Sequence, residues 1–156
     1  MINLESIELI IGNSGRNFSG GTSITIQLLD YQEKEMNLAI LGSRFIPKHF
    51  TTLNYLQFLL LTRKKLPSGK LRVFYTRKNN EMIQGLIAKY IFRSKIKIIF
   101  SSSAQRNHTK FTKWLMSKMD SVVSTSRKAG SYLDKEPDKI ISHGIDQIMK
   151  PSLLLK

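Results

Sequence analysis

Short runs of apolar and β-branched residues alternate along this chain with longer stretches of helical period, and that alternation limits it to an α/β architecture. The runs at 7–11, 38–41, 71–75, 96–100, 121–124 and 139–142 read as strands. Several are apolar throughout, as expected where helices cover both faces of a parallel sheet. Between them, Ile24, Leu28 and Tyr31 keep one helical face, as do Ile83, Leu86, Ile87 and Tyr90, and Phe111, Leu115 and Met119. Residues 54–65 form a further helix with Leu56, Leu59, Leu60 and Arg63 on one side, stopped by Leu66-Pro67-Ser68-Gly69. At 156 residues the chain has room for one core.

The polar residues fall where such a sheet binds ligands. After the first strand comes Gly12-Asn13-Ser14-Gly15-Arg16-Asn17-Phe18-Ser19-Gly20-Gly21-Thr22, and after the third Thr76-Arg77-Lys78-Asn79-Asn80-Glu81. Three more clusters follow later strands, at 101–108, 125–127 and 143–146. In an open parallel sheet the carboxyl ends of the strands lie on one edge, so all five clusters are expected to converge there. Ordinary polar connections are the competing reading.

The glycine-rich turn leads into a helix expected to open at Thr22, which leaves amide N–H groups free and a positive helix end at that edge. Gly20 and Gly21 lack a Cβ, so phosphate or sugar oxygens can approach the backbone closely. The spacing matches neither a dinucleotide fingerprint nor a Walker A loop. Asn79 and Asn80 read either as caps of the next helix or as neighbours of a sugar-binding Arg77–Glu81 pair. His49, His108 and His143 stand far apart with no HxH or HExxH spacing, so no metal site is expected. His108 sits at the ligand edge as a candidate general base.

Charge favours anionic partners, since 25 Lys and Arg against 11 Asp and Glu give +14. Over 105–119, Arg106, Lys110 and Lys113 share one helical side, Phe111, Leu115 and Met119 the other, and Trp114 the boundary. This reads as a solvated core helix or as a basic amphipathic helix on an anionic membrane surface. The absence of cysteine excludes disulfides, thiolate-ligated metals and a cysteine nucleophile. The N-terminus has no basic region followed by an apolar run, and no apolar run approaches the roughly 18 residues of a membrane span. A cytoplasmic protein is expected.

The strings Gly20-Gly21-Thr22-Ser23, Arg77-Lys78-Asn79-Asn80-Glu81-Met82, Gln105-Arg106-Asn107-His108-Thr109-Lys110-Phe111-Thr112-Lys113-Trp114-Leu115, Ser124-Thr125-Ser126 and His143-Gly144-Ile145-Asp146 occur in this order. With them the chain resembles family-4 glycosyltransferases, and among these the bacterial lipopolysaccharide core mannosyltransferases. The likeness covers about residues 5–151 and the N-terminal half of such enzymes. It implies a GT-B architecture of two Rossmann-like domains, with residues 1–142 as the acceptor-binding domain and 143–156 as the start of the linker to a donor domain that the chain lacks. The implied reaction is retaining and metal-independent, and it needs no cofactor. It moves a hexose, mannose by the likeness, from a nucleotide sugar such as GDP-mannose to a lipid-linked lipopolysaccharide core oligosaccharide at the inner face of the cytoplasmic membrane. The implied donor-phosphate and acceptor residues are Gly20, Gly21, Thr22, Arg77, Asn80, Glu81, Gln105, Arg106, His143 and Gly144, with His108 in the catalytic place.

Two departures from the pattern stand out. After Asp146 the chain reads Gln147-Ile148-Met149-Lys150-Pro151, one residue shorter than relatives and without their Phe. Ser101 to Ser103 stand where the wider family has a His. The 156 residues are therefore expected to be inactive alone, unless a separate donor-domain chain supplies the other half. The rival reading is a basic nucleic-acid-binding module, prompted by the charge and by Phe74, Tyr75 and Trp114 near basic residues. No RNP, KH or zinc-finger string accompanies it.

Overall fold

The structure, a computed structural model, describes residues 3–142. Seven strands form one sheet: β1 (Leu9–Gly12), β2 (Leu38–Leu41), β3 (Thr52–Leu53), β4 (Arg72–Thr76), β5 (Ile96–Ser102), β6 (Ser121–Ser124) and β7 (Lys139–Ile140). Every pairing is parallel and the order is β3-β2-β1-β4-β5-β6-β7. The chain runs outward one way from β1 and then returns to run outward the other way from β4. This makes the β1/β4 boundary the switch point at which such sheets open a crevice. The helices are α1 (Gly20–Glu35), α2 (Tyr55–Thr62), α3 (Asn79–Tyr90), α4 (Lys110–Ser117) and the short α5 (Arg127–Gly130).

The expected α/β fold with a parallel sheet and helices on both faces is present. Alternate strand residues build the two layers. Ile10, Phe74 and Ile98 pack with Phe58 and Leu59 of α2 and Ala88 of α3, and Phe100 packs with Met82, Leu115 and Met116 of α3 and α4. On the other face Ile11, Leu38, Ile40 and Tyr75 meet Leu29 of α1. The first expected strand begins two residues late, because residues 4–6 turn as a 3-10 helix whose Asn3 side chain accepts from the Glu5 amide. β3 was not expected, since its two residues are too few to carry a period. The last strand is exposed and stops at Ile140.

Helices α1 to α4 lie where expected, α5 was not expected, and the buried faces are rotated. On α1 the sheet side is Thr22, Thr25 and Leu29, while Tyr31 is exposed. On α3 it is Glu81, Met82, Gly85 and Ala88, with Tyr90 exposed, and on α2 Leu56 and Leu60 face outward while Phe58 and Thr62 are buried. The reason is proximity. A Cβ on Gly85 would come within 2.9 Å of the Phe74 ring and 3.1 Å of Ile98, so α3 approaches the sheet along its small residues.

At the amino edge of the sheet, Arg72 is 1% exposed and donates to the carbonyls of Lys64 and Glu5. Burial lowers its pKa from the usual arginine value, opposed by the nearby Glu5 charge. The neutral acceptors of two chain segments thus hold this long cation in the core, and tie the 3-10 turn and the end of α2 to β4.

Candidate functional site

Four of the five expected polar clusters lie in the connections that leave the carboxyl ends of the parallel strands. The fifth, with His143 and Gly144, lies outside the described residues. At the switch point the β1–α1 and β4–α3 connections are joined by Glu81, which is fully buried. One carboxylate oxygen accepts from the Ser14 amide and the Ser14 hydroxyl, both at 3.1 Å, and the other accepts from the amides of Arg77 at 2.8 Å and Lys78 at 3.2 Å. A carboxylate has about four acceptor positions, and protein donors fill them. Glu81 therefore shapes the site through the two loops it holds. The carboxylate lies against Gly12, where an added Cβ would come within 2.9 Å of its Cγ, Cδ and Oε2.

Helix α1 opens at Gly20, two residues before the expected Thr22. Ser19 is its N-cap, with Oγ accepting from the Thr22 amide at 3.3 Å. Both glycines belong to the first turn, where backbone N–H groups have no partner inside the helix. Neither has a positive φ. A Cβ on Gly20 would meet nothing within 4 Å, and one on Gly21 only Ser19 Oγ at 3.8 Å and Arg77 Nη1 at 3.9 Å. Neither backbone conformation nor packing requires glycine at either position, and both residues are exposed. Arg77 crosses to this turn and donates to the carbonyls of Gly21 at 2.8 Å and Gly12 at 3.2 Å and to Thr25 Oγ1. Lys78, absent from the expected set, places Nζ beside Gly15, 2.7 Å from where a Cβ would stand.

Along the same edge, His108 Nε2 lies 3.1 Å from Ser102 Oγ at the end of β5. Burial lowers the imidazole pKa, Arg106 and Lys113 lower it further, and Asp134 opposes them, which together favour the neutral ring. Ser124 of β6 donates to the Ser102 and Ser126 carbonyls, fixing the neighbouring strand end. Gln105 and Arg106 are exposed on the irregular segment before α4. The cap position of α3 is Lys78, so Asn79 and Asn80 stand in the first turn; Asn79 Nδ2 donates to Thr112 Oγ1 at 2.9 Å and Asn80 is exposed.

The amphipathic segment differs from expectation. Helix covers only Lys110–Ser117, Arg106 lies outside it, and the buried side is Thr112, Leu115 and Met116. Phe111 turns outward with Trp114, 53% and 54% exposed, and their rings stack with centroids 6.1 Å apart. Lys110 is exposed, whereas Lys113 is bound to Asp134 at 2.6 Å. His49 stands apart from the edge cluster, near Asp30 at 3.9 Å. Two grooves lie elsewhere. One of about 560 Å³ lies at the amino edge beside Leu60, Leu61, Lys64 and Pro67, and one of about 340 Å³ lies beside Met116, Val122, Leu133 and Asp134. Neither has the amides and glycines of the carboxyl edge, so chemistry rather than depth marks the site.

A doubly wound parallel sheet, with a helix start, basic side chains and a histidine gathered along one edge, places the chain in the class of open α/β domains, in which ligands bind at the carboxyl ends of the strands. Two curated relatives give that class a narrower meaning. The chain is 37% identical over 147 residues to the lipopolysaccharide core biosynthesis mannosyltransferase LpcC of Rhizobium leguminosarum bv. viciae. It is 34% identical over 148 residues to the lipopolysaccharide core biosynthesis mannosyltransferase LpsB of Rhizobium meliloti (strain 1021). Each match takes in 94% of this chain and 41% of the relative, so the chain spans about two fifths of the length of the proteins it matches. Over that span it is a homologue of lipopolysaccharide core mannosyltransferases, as its sequence strings indicated. No family model and no solved structure matches it. The nucleic-acid reading has no support from these relatives.

Two measurements check this geometry. Glu81→Gln replaces an acceptor oxygen with an NH2 group facing amide donors, and it should cost about 1–3 kcal/mol, seen in thermal melts. Gly12→Ala should act in the same direction by displacing that carboxylate. For His108, the unfolded ring titrates near the ordinary ~6.5 and the folded ring below it. Above that range both states are neutral and the group does not alter stability. As pH falls through ~6.5 the unfolded chain takes up a proton that the folded state resists, so stability is lost down to the folded pKa. An NMR titration of the ring should give a midpoint below 6.5, and His108→Gln should flatten this part of the pH profile.

Proposed function

We propose that these residues form the acceptor-binding part, corresponding to the N-terminal domain, of a retaining, metal-independent glycosyltransferase. It moves mannose from a nucleotide sugar, GDP-mannose, to a lipid-linked lipopolysaccharide core oligosaccharide. The observation that carries this reading is the coincidence of the homology with the site's form: the matched span includes a helix opening on two glycines that neither φ nor packing demands. In this mechanism the Gly20 and Gly21 amides and the end of α1 face the donor phosphates and stabilise the negative charge that grows on the leaving diphosphate. Arg77 holds that turn in place through the Gly21 carbonyl. Lys78 and Arg106 add positive charge. Asn80 and Gln105 supply hydrogen bonds to acceptor hydroxyls, and the neutral His108 stands ready to accept a proton. His143 and Gly144 complete the expected set.

The relatives extend well beyond the matched span, and bringing both reactants together accounts for much of a transfer enzyme's rate. The 156 residues alone should transfer no measurable mannose, while a fusion to the remaining length of LpcC should do so. In that fusion Gly20→Ala and Gly21→Ala should leave the melting temperature unchanged or slightly raised, since alanine suits a helix better by up to about 1 kcal/mol. Transfer should fall at least tenfold, because each Cβ enters the ligand's approach. Full activity in both variants would remove the turn from the site.

The stacked, outward Phe111–Trp114 pair beside Lys110 also favours peripheral attachment to the inner face of the cytoplasmic membrane. Among the described residues no helix is long and apolar enough to cross a membrane. Paired aromatics suit the headgroup boundary, and each nearby basic residue adds about 1 kcal/mol with anionic lipid. Sedimentation with anionic vesicles should weaken several-fold in Phe111→Ser/Trp114→Ser and in Arg106→Gln/Lys110→Gln. Lys113→Gln should matter less, because Asp134 already pairs with that ammonium. Unchanged sedimentation in all three would return α4 to the role of a solvated core helix.

A further inference from the structure

Two phenyl rings stand open at the ligand edge, on loops far apart in sequence. Phe18 immediately precedes the Ser19 cap of α1, and Phe45 lies in the connection from β2 to β3. Their centroids are 5.6 Å apart with planes at 86°, an edge-to-face pair, and they are 58% and 45% exposed.

Phe45 has φ of +65°, a region that a bulky side chain occupies only where its surroundings impose it. They do so here. Gly42 has φ of +106°, and a Cβ on it would strike the Asn13 carbonyl oxygen at 2.6 Å. Asn13 Nδ2 donates to the carbonyls of Gly42 at 3.3 Å and Arg44 at 2.9 Å, and Arg44 Nη1 donates back to the Arg16 carbonyl at 2.9 Å. The β1–α1 and β2–β3 connections are thus cross-tied beside the rings, which are held in place without being covered.

We propose that Phe18 and Phe45 form a stacking platform for a pyranose ring of the oligosaccharide acceptor, a refinement that rests on the acceptor-domain reading above. A sugar ring has an apolar face of C–H groups rimmed by hydroxyls, so it suits an exposed aromatic surface with polar groups around it. Arg16, Asn17, Ser19 and Arg44 are all exposed around this pair, and the free amides of Gly20 and Gly21 follow directly in the chain. The strained backbone at Phe45 fixes one ring orientation in advance, which lowers the ordering cost of binding.

The test uses the 156-residue chain and delipidated lipopolysaccharide core oligosaccharide from Rhizobium leguminosarum as probe, with saturation-transfer NMR and an affinity titration. Saturation should pass to ring C–H protons of the sugar. Phe18→Leu, which keeps apolar bulk without an aromatic face, and Phe45→Gly, which suits the positive φ, should each weaken binding at least tenfold. Phe45→Gly should hold the melting temperature, separating lost binding from lost folding. Binding by the chain that survives within twofold in both variants would overturn the platform and leave the acceptor-domain reading intact. Loss of vesicle sedimentation with oligosaccharide binding preserved would also overturn it, making the rings a lipid contact. An unmodified chain that fails to bind the oligosaccharide would overturn the acceptor-domain reading, and the platform with it.

Discussion

A single carboxylate organises the ligand edge. Leaving Glu81 charged and out of water costs several kcal/mol unless donors surround it, and Ser14, Arg77 and Lys78 provide four. Two of these come from the connection after β1 and two from the connection after β4, the strands that flank the switch point. Gly12 allows the carboxylate close enough to reach both. With those loops joined, Arg77 is placed to reach the Gly21 carbonyl, and the first turn of α1 acquires a fixed position relative to β4. Glu81 is thereby taken up internally. What faces outward is amides, Lys78, Arg106 and a neutral His108, a surface that favours an anionic ligand.

The close approach of the helices to the sheet sets the character of the outer surface. Gly85, Ala88, Thr25 and Thr62 turn inward, which lets the helices come near, and the larger side chains are displaced to the rim. Leu56, Tyr90, Phe111 and Trp114 are exposed. On α4 the buried side is Thr112, Leu115 and Met116, and Phe111 and Trp114 form an outward aromatic pair beside Lys110. This pair is the apolar surface on which membrane attachment is proposed.

Polar anchoring repeats at both edges of the sheet. At the amino edge Arg72 reaches two carbonyls, and at the carboxyl edge Asn13 and Arg44 tie neighbouring loops together. These bonds tie the loops that carry the glycine-rich turn and the two phenyl rings, which stay exposed at that edge.

The sequence by itself determined the α/β alternation, six of the seven strands to within about two residues, the gathering of polar connections at one edge, and the homology carried by the Gly20-Gly21 and Gln105–Leu115 strings. Those signals are local, because strand and helix periods repeat within a few residues and a motif is read in one place. Tertiary structure decided which side of each helix is buried. An apolar stripe is roughly 100° wide or more, so its period cannot choose between adjacent residues; contact with the sheet chose, and on α3 it chose the side with Gly85 and Ala88. It also turned Glu81, expected as a sugar ligand, into the clamp between two loops, and brought Phe18 to Phe45. Ser14 and Glu81 are 67 residues apart in the chain, and no local pattern encodes a hydrogen bond over that distance; only the crossover that sets β4 beside β1 makes it.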